Sequence, residues 1–258
     1  MKSCFVFLAL LALCLADTFD HTHIRFLEAT PAGNYLFRMG MPKFNDTAYA
    51  YEGIREWFPK VAAEHGVVLP EDYYIIDISL LTSERSDVDL ERTFFEAHPT
   101  LGRLINWPIH GLHLNEIQEG CKFAGIPVEN CSHTQPRDYS PEDVKKIALQ
   151  LPKFAMKDNL PLYFTMIRTF IDTPHEKPYV VFWHCECGCD RVGEVSASYV
   201  MQFQGWNFTE AMKWDEDVPK RHIEYDKQIH AQWYCEYLNA IGKTRIQDCG
   251  NCSPFVCN

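Results

Sequence analysis

Tyr179-Val180-Val181-Phe182-Trp183-His184-Cys185-Glu186-Cys187-Gly188-Cys189-Asp190-Arg191-Val192-Gly193-Glu194 contains a strand, a tight loop and the start of a helix in succession. Tyr179 to Trp183 is an unbroken apolar run, the pattern of a strand buried on both faces. The run ends at His184-Cys185, a loop with Gly188 at its middle follows, and a helical pattern extends from Gly193 to Phe203. This order sets the unpaired N–H groups of a helix's first turn over the end of a strand. Successive loop amides that point at one spot make an anion cradle. A guanidinium at Arg191 can clamp two oxygens of a bound oxyanion. The same positive surroundings favour a thiolate at Cys185, and a thiolate beneath a bound phosphoryl group is an in-line nucleophile.

Outward from this segment, strands and helices alternate. Tyr35 to Arg38 reads as a short strand, followed by a break at Gly40 and Pro42. Asp46 to His65 has a helical apolar period, with Gly66 as its terminator. Tyr73 to Leu81 is strand-like, Asp87 to Ala97 helical, and Arg103 to Trp107 strand-like again. Asn115 to Ala124 is helical. Ser140-Pro141-Glu142-Asp143 is a helix start, with Ser140 as N-cap and Pro141 in the first turn. Leu160 to Ile171 forms another helix, stopped by Pro174, and Phe208 to Trp214 and Tyr225 to Ala240 follow. In the last, Ile229, Trp233, Tyr237 and Ile241 recur every four residues and read as a core-facing stripe. The alternation predicts an α/β single domain, a central mixed sheet flanked by helices. His21 and His23 are expected to be exposed and inert, and Trp214-Asp215-Glu216-Asp217 a solvated surface.

The loop resembles that of the cysteine-dependent protein phosphatases, which is His-Cys, five residues, then Arg: here His184-Cys185-(Glu186-Cys187-Gly188-Cys189-Asp190)-Arg191. The resemblance to this tyrosine and dual-specificity superfamily extends from Tyr35 to Ile241. Arg38-Met39-Gly40-Met41-Pro42 is similar to its opening strand and turn, and the wider pattern looks most like its secreted protist members. It implies a protein tyrosine phosphatase-like fold with Cys185 as nucleophile, Arg191 as phosphate clamp and His184 orienting the thiolate. Glu186, Cys187, Gly188 and Cys189 would line the substrate site.

Three departures stand out. Val192 occupies the place of the family's post-arginine Ser or Thr. Asn106-Trp107-Pro108-Ile109-His110-Gly111 resembles its acid loop with Ile109 in the acid's position. The phosphate loop itself has two acids and no lysine. Asp190 is therefore the first candidate acid, as in microbial members with Asp-Arg at the loop's end, with Asp138 next and His110 third. A loop without lysine favours a phosphomonoester, on phosphotyrosine or phosphoserine/threonine, over a polyphosphate. The alternative reading is a catalytically weak pseudophosphatase that binds phosphorylated ligands.

Met1-Lys2-Ser3, an apolar run from Cys4 to Leu15 and small residues at Cys14 and Ala16 make residues 1–16 a secretory signal peptide. The run is too short to span a bilayer, so no stable membrane insertion is expected. Residues 17–245 form the domain and 246–258 a Cys-rich tail packed on it. Sequons at Asn45, Asn130, Asn207 and Asn251 agree with a secreted chain, or one held in the lumen of a secretory or endolysosomal compartment. Nine of the 11 cysteines lie beyond the signal segment, and in an oxidising compartment they are disulfide candidates. Cys121 and Cys131 can close a small loop, and Cys235 is in reach of the tail cysteines. Cys187 and Cys189 would strain a small ring by pairing together, so their partners are expected elsewhere. A His followed by Cys-x-Cys-x-Cys converges poorly on a tetrahedral ion, and no metal or cofactor is expected. The formal charge of −11 excludes a general nucleic-acid binder, leaving a phosphorylated protein or small phosphomonoester as partner.

Overall fold

A computed structural model describes residues 19–44, 47–82, 86–243 and 245–250. The chain begins with β1 (Arg25–Ala29), β2 (Tyr35–Met39) and a small hairpin of β3 (Lys43–Phe44) and β4 (Ala48–Tyr49). Helix α1 (Tyr51–Glu64) leads to β5 (Tyr74–Ser79), and α2 (Ser86–Ala97) to β6 (Gly102–Asn106). A helical stretch follows: α3 (Leu114–Ala124), α4 (Pro141–Ala148), α5 (Leu151–Phe154) and α6 (Leu160–Asp172). Strand β7 (Tyr179–His184) precedes α7 (Asp190–Tyr199), α8 (Phe208–Asp217) and α9 (Tyr225–Ala240).

The sheet has the order β1-β2-β7-β5-β6, with β1 antiparallel to β2 and the other pairs parallel. It is the mixed α/β single domain expected from the alternation. β7 lies at its centre, which explains the unbroken apolar run. Alternate residues of β7 face opposite layers. Val180 and Phe182 join the core beneath α1 and α2, with Phe37, Ile54, Phe58 and Ile75. Val181 and Trp183 join the larger core under the later helices, with Leu36, Ile76, Tyr163 and Val195. Trp183 Nε1 donates to Ser196 Oγ at 2.9 Å and fastens β7 to α7.

Several local expectations change. Strand β1 was not foreseen. The helix expected from Asp46 begins at Tyr51, because the β3–β4 hairpin precedes it. The helix expected from Gly193 begins at Asp190 and passes into a π-turn over Val200–Gln204, so the phosphate-type loop is shorter than its sequence suggested. Ser140 caps α4, its Oγ accepting from Asp143 N at 3.2 Å. The α9 stripe is only partly internal: Ile229 and Trp233 are buried, Tyr237 is half-buried and Ile241 is exposed. Instead Lys227 through Cys235 are buried all round the helix, polar residues included. No helix among the described residues is long and apolar enough to cross a membrane.

Disulfides join Cys121 to Cys131 and Cys235 to Cys249. The latter, with Asn239 Nδ2 donating to Ile246 O at 3.0 Å, holds residues 246–250 against α9. Cys187 and Cys189 pair with each other, contrary to expectation, because the turn at Gly188 brings their Cα atoms to 5.3 Å. Residues 1–16, Asn45, Asn251, Cys252 and Cys257 lie outside the described residues. Asn130 is exposed, whereas Asn207 caps α8, accepting from Glu210 N at 2.7 Å.

Candidate active site

The parallel strands all end on one edge of the sheet, where ligand sites of α/β proteins collect. Leu80 N donates to His184 O at 2.9 Å and Trp107 N to Ser79 O at 2.9 Å. The segments after β2, β5, β6 and β7 are thereby brought side by side. Cys185 sits at the end of β7, 2% exposed, and is the free cysteine among those described.

The 186–189 loop is shaped by donors behind it. Met41 N donates to Glu186 O at 3.0 Å, His23 Nδ1 to Cys187 O at 2.5 Å, Arg38 Nη2 to Gly188 O at 2.5 Å, and Gly193 N to Cys189 O at 2.7 Å. In a trans peptide the N–H points opposite to the C=O. The amides of Cys187, Gly188, Cys189 and Asp190 therefore turn away from those donors, which is the polarity an oxyanion cradle needs. No side chain caps the first turn of α7, so its N–H groups add to the same field. Gly188 has φ 71°, and a Cβ there would lie 2.7 Å from Gly40 N and 2.8 Å from Met39 O. Both the conformation and the contact require glycine.

Three arginines lie on or beside this loop. Arg191, in the first turn of α7, is half-buried, and its Nε is buried without a hydrogen-bond partner. Arg38 and Arg221 both act electrostatically on Cys185. Burial pushes the Arg38 guanidinium down to about 9, opposed by the Cys185 sulfur. Arg38 is paired with Asp215 of α8, and both side chains are fully buried. This corrects the reading of Trp214 to Asp217 as a solvated surface. His23 is likewise not inert, since it holds the loop, and His21 stacks on Trp57 with ring centroids 3.4 Å apart.

His184 faces the α1–α2 layer. Its Nε2 lies 3.1 Å from Asp77 Oδ1 and 3.0 Å from Glu91 Oε1, and Tyr49 OH donates to Asp77 Oδ2 at 2.8 Å. Burial opposes charge on the imidazole, but the Glu91 and Asp77 carboxylates outweigh it and hold His184 well above its ordinary range. His184 thus places a buried positive group directly under the nucleophile's backbone. A second buried triad joins Asp158, Glu194 and His230. Both triads combine residue types that bind metals, but imidazole-to-carboxylate spacings of 2.7–3.3 Å are those of ion pairs and charge-assisted hydrogen bonds.

The candidate acids fare differently. Asp190 opens α7, and Arg221 binds both its oxygens, at 2.8 and 2.5 Å, while Glu224 N donates to Oδ1 at 2.9 Å. Arg221 Nη2 also lies 3.4 Å from Cys187 Sγ. Asp138 is exposed in the 3-10 turn Pro136–Asp138, beside Arg137 and without a hydrogen bond or ion pair to the 184–191 loop. His110 is exposed, and Ile109 is buried in the core. Val192, a residue without a hydroxyl, follows the arginine and is fully buried.

Residues 115–231 match the model of the dual specificity phosphatase catalytic domain. The match spans the 184–191 loop. Among curated proteins none matches the chain. Among solved structures, Cydia Pomonella PTP-2 phosphatase is similar at 13% identity and TM-score 0.36, over 80% of this chain and 89% of that one. P. aeruginosa TpbA, solved with pTyr, is similar at 13% and 0.35, over 87% and 99%. The Yvh1 phosphatase domain from Chaetomium thermophilum is similar at 14% and 0.35, over 86% and 98%.

Sequence reading missed Asp77, Glu91, Asp158, Glu194, Asp215, Arg221 and His230. One signal was available for Asp77, a carboxylate in the middle of an apolar strand. The others become legible only when the helices and turns carrying them are packed.

Proposed function

We propose that this chain is a secreted phosphatase that hydrolyses phosphomonoesters on phosphotyrosine or phosphoserine/threonine through a phosphocysteine intermediate. The observation that carries the reading is the buried free thiol of Cys185 at the open end of a loop whose carbonyls are drawn backward. The Cys185 thiolate attacks phosphorus, the P–O bond to the leaving group breaks, and an acid protonates the departing oxygen. Water then attacks the thiophosphate, returning the thiolate and releasing inorganic phosphate. Arg191 and the loop amides stabilise the equatorial oxygens throughout. Asp190 is the proposed acid: a substrate dianion that draws Arg221 away lets its carboxylate take up a proton, which it gives to the leaving oxygen, and it then recovers one from the attacking water. The disulfides on the described chain favour an oxidising compartment, in keeping with secretion.

Purified protein should hydrolyse an aryl phosphate, and Cys185→Ser should abolish turnover. Turnover that survives this substitution removes the reading. A pseudophosphatase is the second reading, favoured by Ile109 and Val192, both buried, which by resemblance stand at the positions of the family's acid and hydroxyl. It predicts binding of phosphotyrosine without turnover.

A further inference from the structure

The 107–111 loop, whose sequence resembles the family's acid loop, makes three hydrogen bonds to one buried residue, Asp158. Trp107 Nε1 donates to Asp158 O at 2.7 Å. His110 N donates to Asp158 Oδ1 at 2.8 Å and Gly111 N to Asp158 Oδ2 at 2.7 Å. Lys227 of α9 adds a bond from Nζ to His110 O at 2.8 Å. Behind Asp158, His230 of α9 places Nδ1 3.3 Å from Asp158 Oδ2 and 2.7 Å from Glu194 Oε1. Glu194 lies in α7, about one turn beyond Arg191. Asp158, His230 and Glu194 are all buried.

Two carboxylates on one ring nitrogen in a dry site form a costly arrangement, since a single N–H cannot serve both fully. Apolar packing would join the same elements at lower cost. What the triad supplies is a defined geometry between the loop and the helix that carries Arg191.

We propose that Asp158, His230 and Glu194 act as a positioning latch that fixes loop 107–111 to helix α7, making this loop a standing wall of the Cys185 cradle and not a moving lid. The proposal rests on the phosphatase reading above. The charged groups facing Glu194 are His230 and Lys227 from α9 and Asp158 from the turn after α5. Burial, opposed by His230, raises Glu194 to about 7. Burial works against charge on His230, but Glu194 and Asp158 lift it to about 10. Lys227 is itself paired with Asp226. Below neutrality the triad holds one imidazolium, one carboxylate and one carboxylic acid. Above it a second carboxylate enters the dry site, and the latch loosens.

The test compares kcat against pH for wild type, Glu194→Gln and Glu194→Ala on an aryl phosphate. Wild-type kcat is expected to fall as pH rises past 7. Glu194→Gln, an uncharged isostere, should move that fall upward by at least one pH unit. Glu194→Ala should lower kcat at least tenfold with KM changed less than threefold. A Glu194→Gln profile superimposable on wild type, or an alanine variant that loses thermal stability but not kcat, overturns the latch. Hydrogen exchange at the His110 and Gly111 amides separates the two readings. It should be at least tenfold faster in Glu194→Ala, and if that variant fails to fold, Glu194→Gln should slow it relative to wild type at pH 8. Absence of wild-type turnover sinks the phosphatase reading alone; unchanged exchange sinks the latch alone.

Discussion

Arg38 of β2 is ion-paired with Asp215 of α8, with both side chains fully withdrawn from solvent, and its Nη2 donates to the Gly188 carbonyl. The pair joins an inner strand and a late helix to the middle of the phosphate-type loop. Such a pair adds little over apolar packing, but removing one partner strands the other charge. Asp215→Ala is expected to destabilise the fold by about 3–5 kcal/mol, read from chemical denaturation. Arg38→Met should lower activity more than Asp215→Asn does, because it also releases the loop. Equal activity in the two variants would show that the Gly188 bond has no part in shaping the cradle.

Asp190→Asn should lower kcat by about 10²-fold or more on phosphate esters with poor leaving groups. On nitrophenyl phosphate, whose leaving oxygen needs little protonation, the loss should be small. Arg221→Ala removes the ion pair that holds Asp190 and should raise KM. If both leaving groups respond alike to Asp190→Asn, the acid is another residue.

Stability should decline as the medium becomes alkaline. His184 and His230 are held above their ordinary value by buried carboxylates. Their contribution is complete below about pH 6.5 and is lost as pH rises through the folded value, about 10 for His230. Glu194, raised to about 7, acts in the same direction over a lower window. Tm should therefore fall between pH 6.5 and 10, and His230→Asn should flatten the fall. A Tm that rises over that interval would contradict these charge assignments.

Alkylation of the native protein should modify Cys185 and spare Cys121, Cys131, Cys235 and Cys249, as mapped on proteolytic peptides. Inorganic tungstate, an oxyanion that fits the cradle, should slow the reaction at Cys185. Labelling unaffected by tungstate would place the thiol outside the anion site.

Replacing Cys121 and Cys131 by alanine opens a loop with a sequence separation of 10. The expected loss is about 3 kcal/mol, by comparison with loops of similar size. A variant with an unchanged unfolding midpoint would show that the bridge constrains neither state.

The segment from Tyr179 to Glu194 carried the architecture in its own pattern. An apolar run long enough for one central strand, a glycine, and a helix after it leave few ways to arrange the chain. Helix α9 was legible to the residue at both ends, and Ser140 with Pro141 marked the start of α4. Boundaries were lost where tertiary bonds outweigh local preference. α7 begins at Asp190 because the loop's carbonyls are bound by Met41, His23 and Arg38, all distant in sequence. The Cys187–Cys189 pair was misjudged because ring strain was weighed without the turn at Gly188.

The candidate nucleophile, its guanidinium and the cradle glycine could be read from spacing alone, since neighbours on one short loop must share a site. The charges that act on them could not. Arg38, Asp77, Glu91, Asp158, Arg221 and His230 are scattered over strands, helices and turns, none of them adjacent to the loop in sequence. Local chemistry is written in adjacent residues, whereas the field around it depends on side chains meeting in a low-dielectric interior. That meeting exists only once the sheet is closed by its helices.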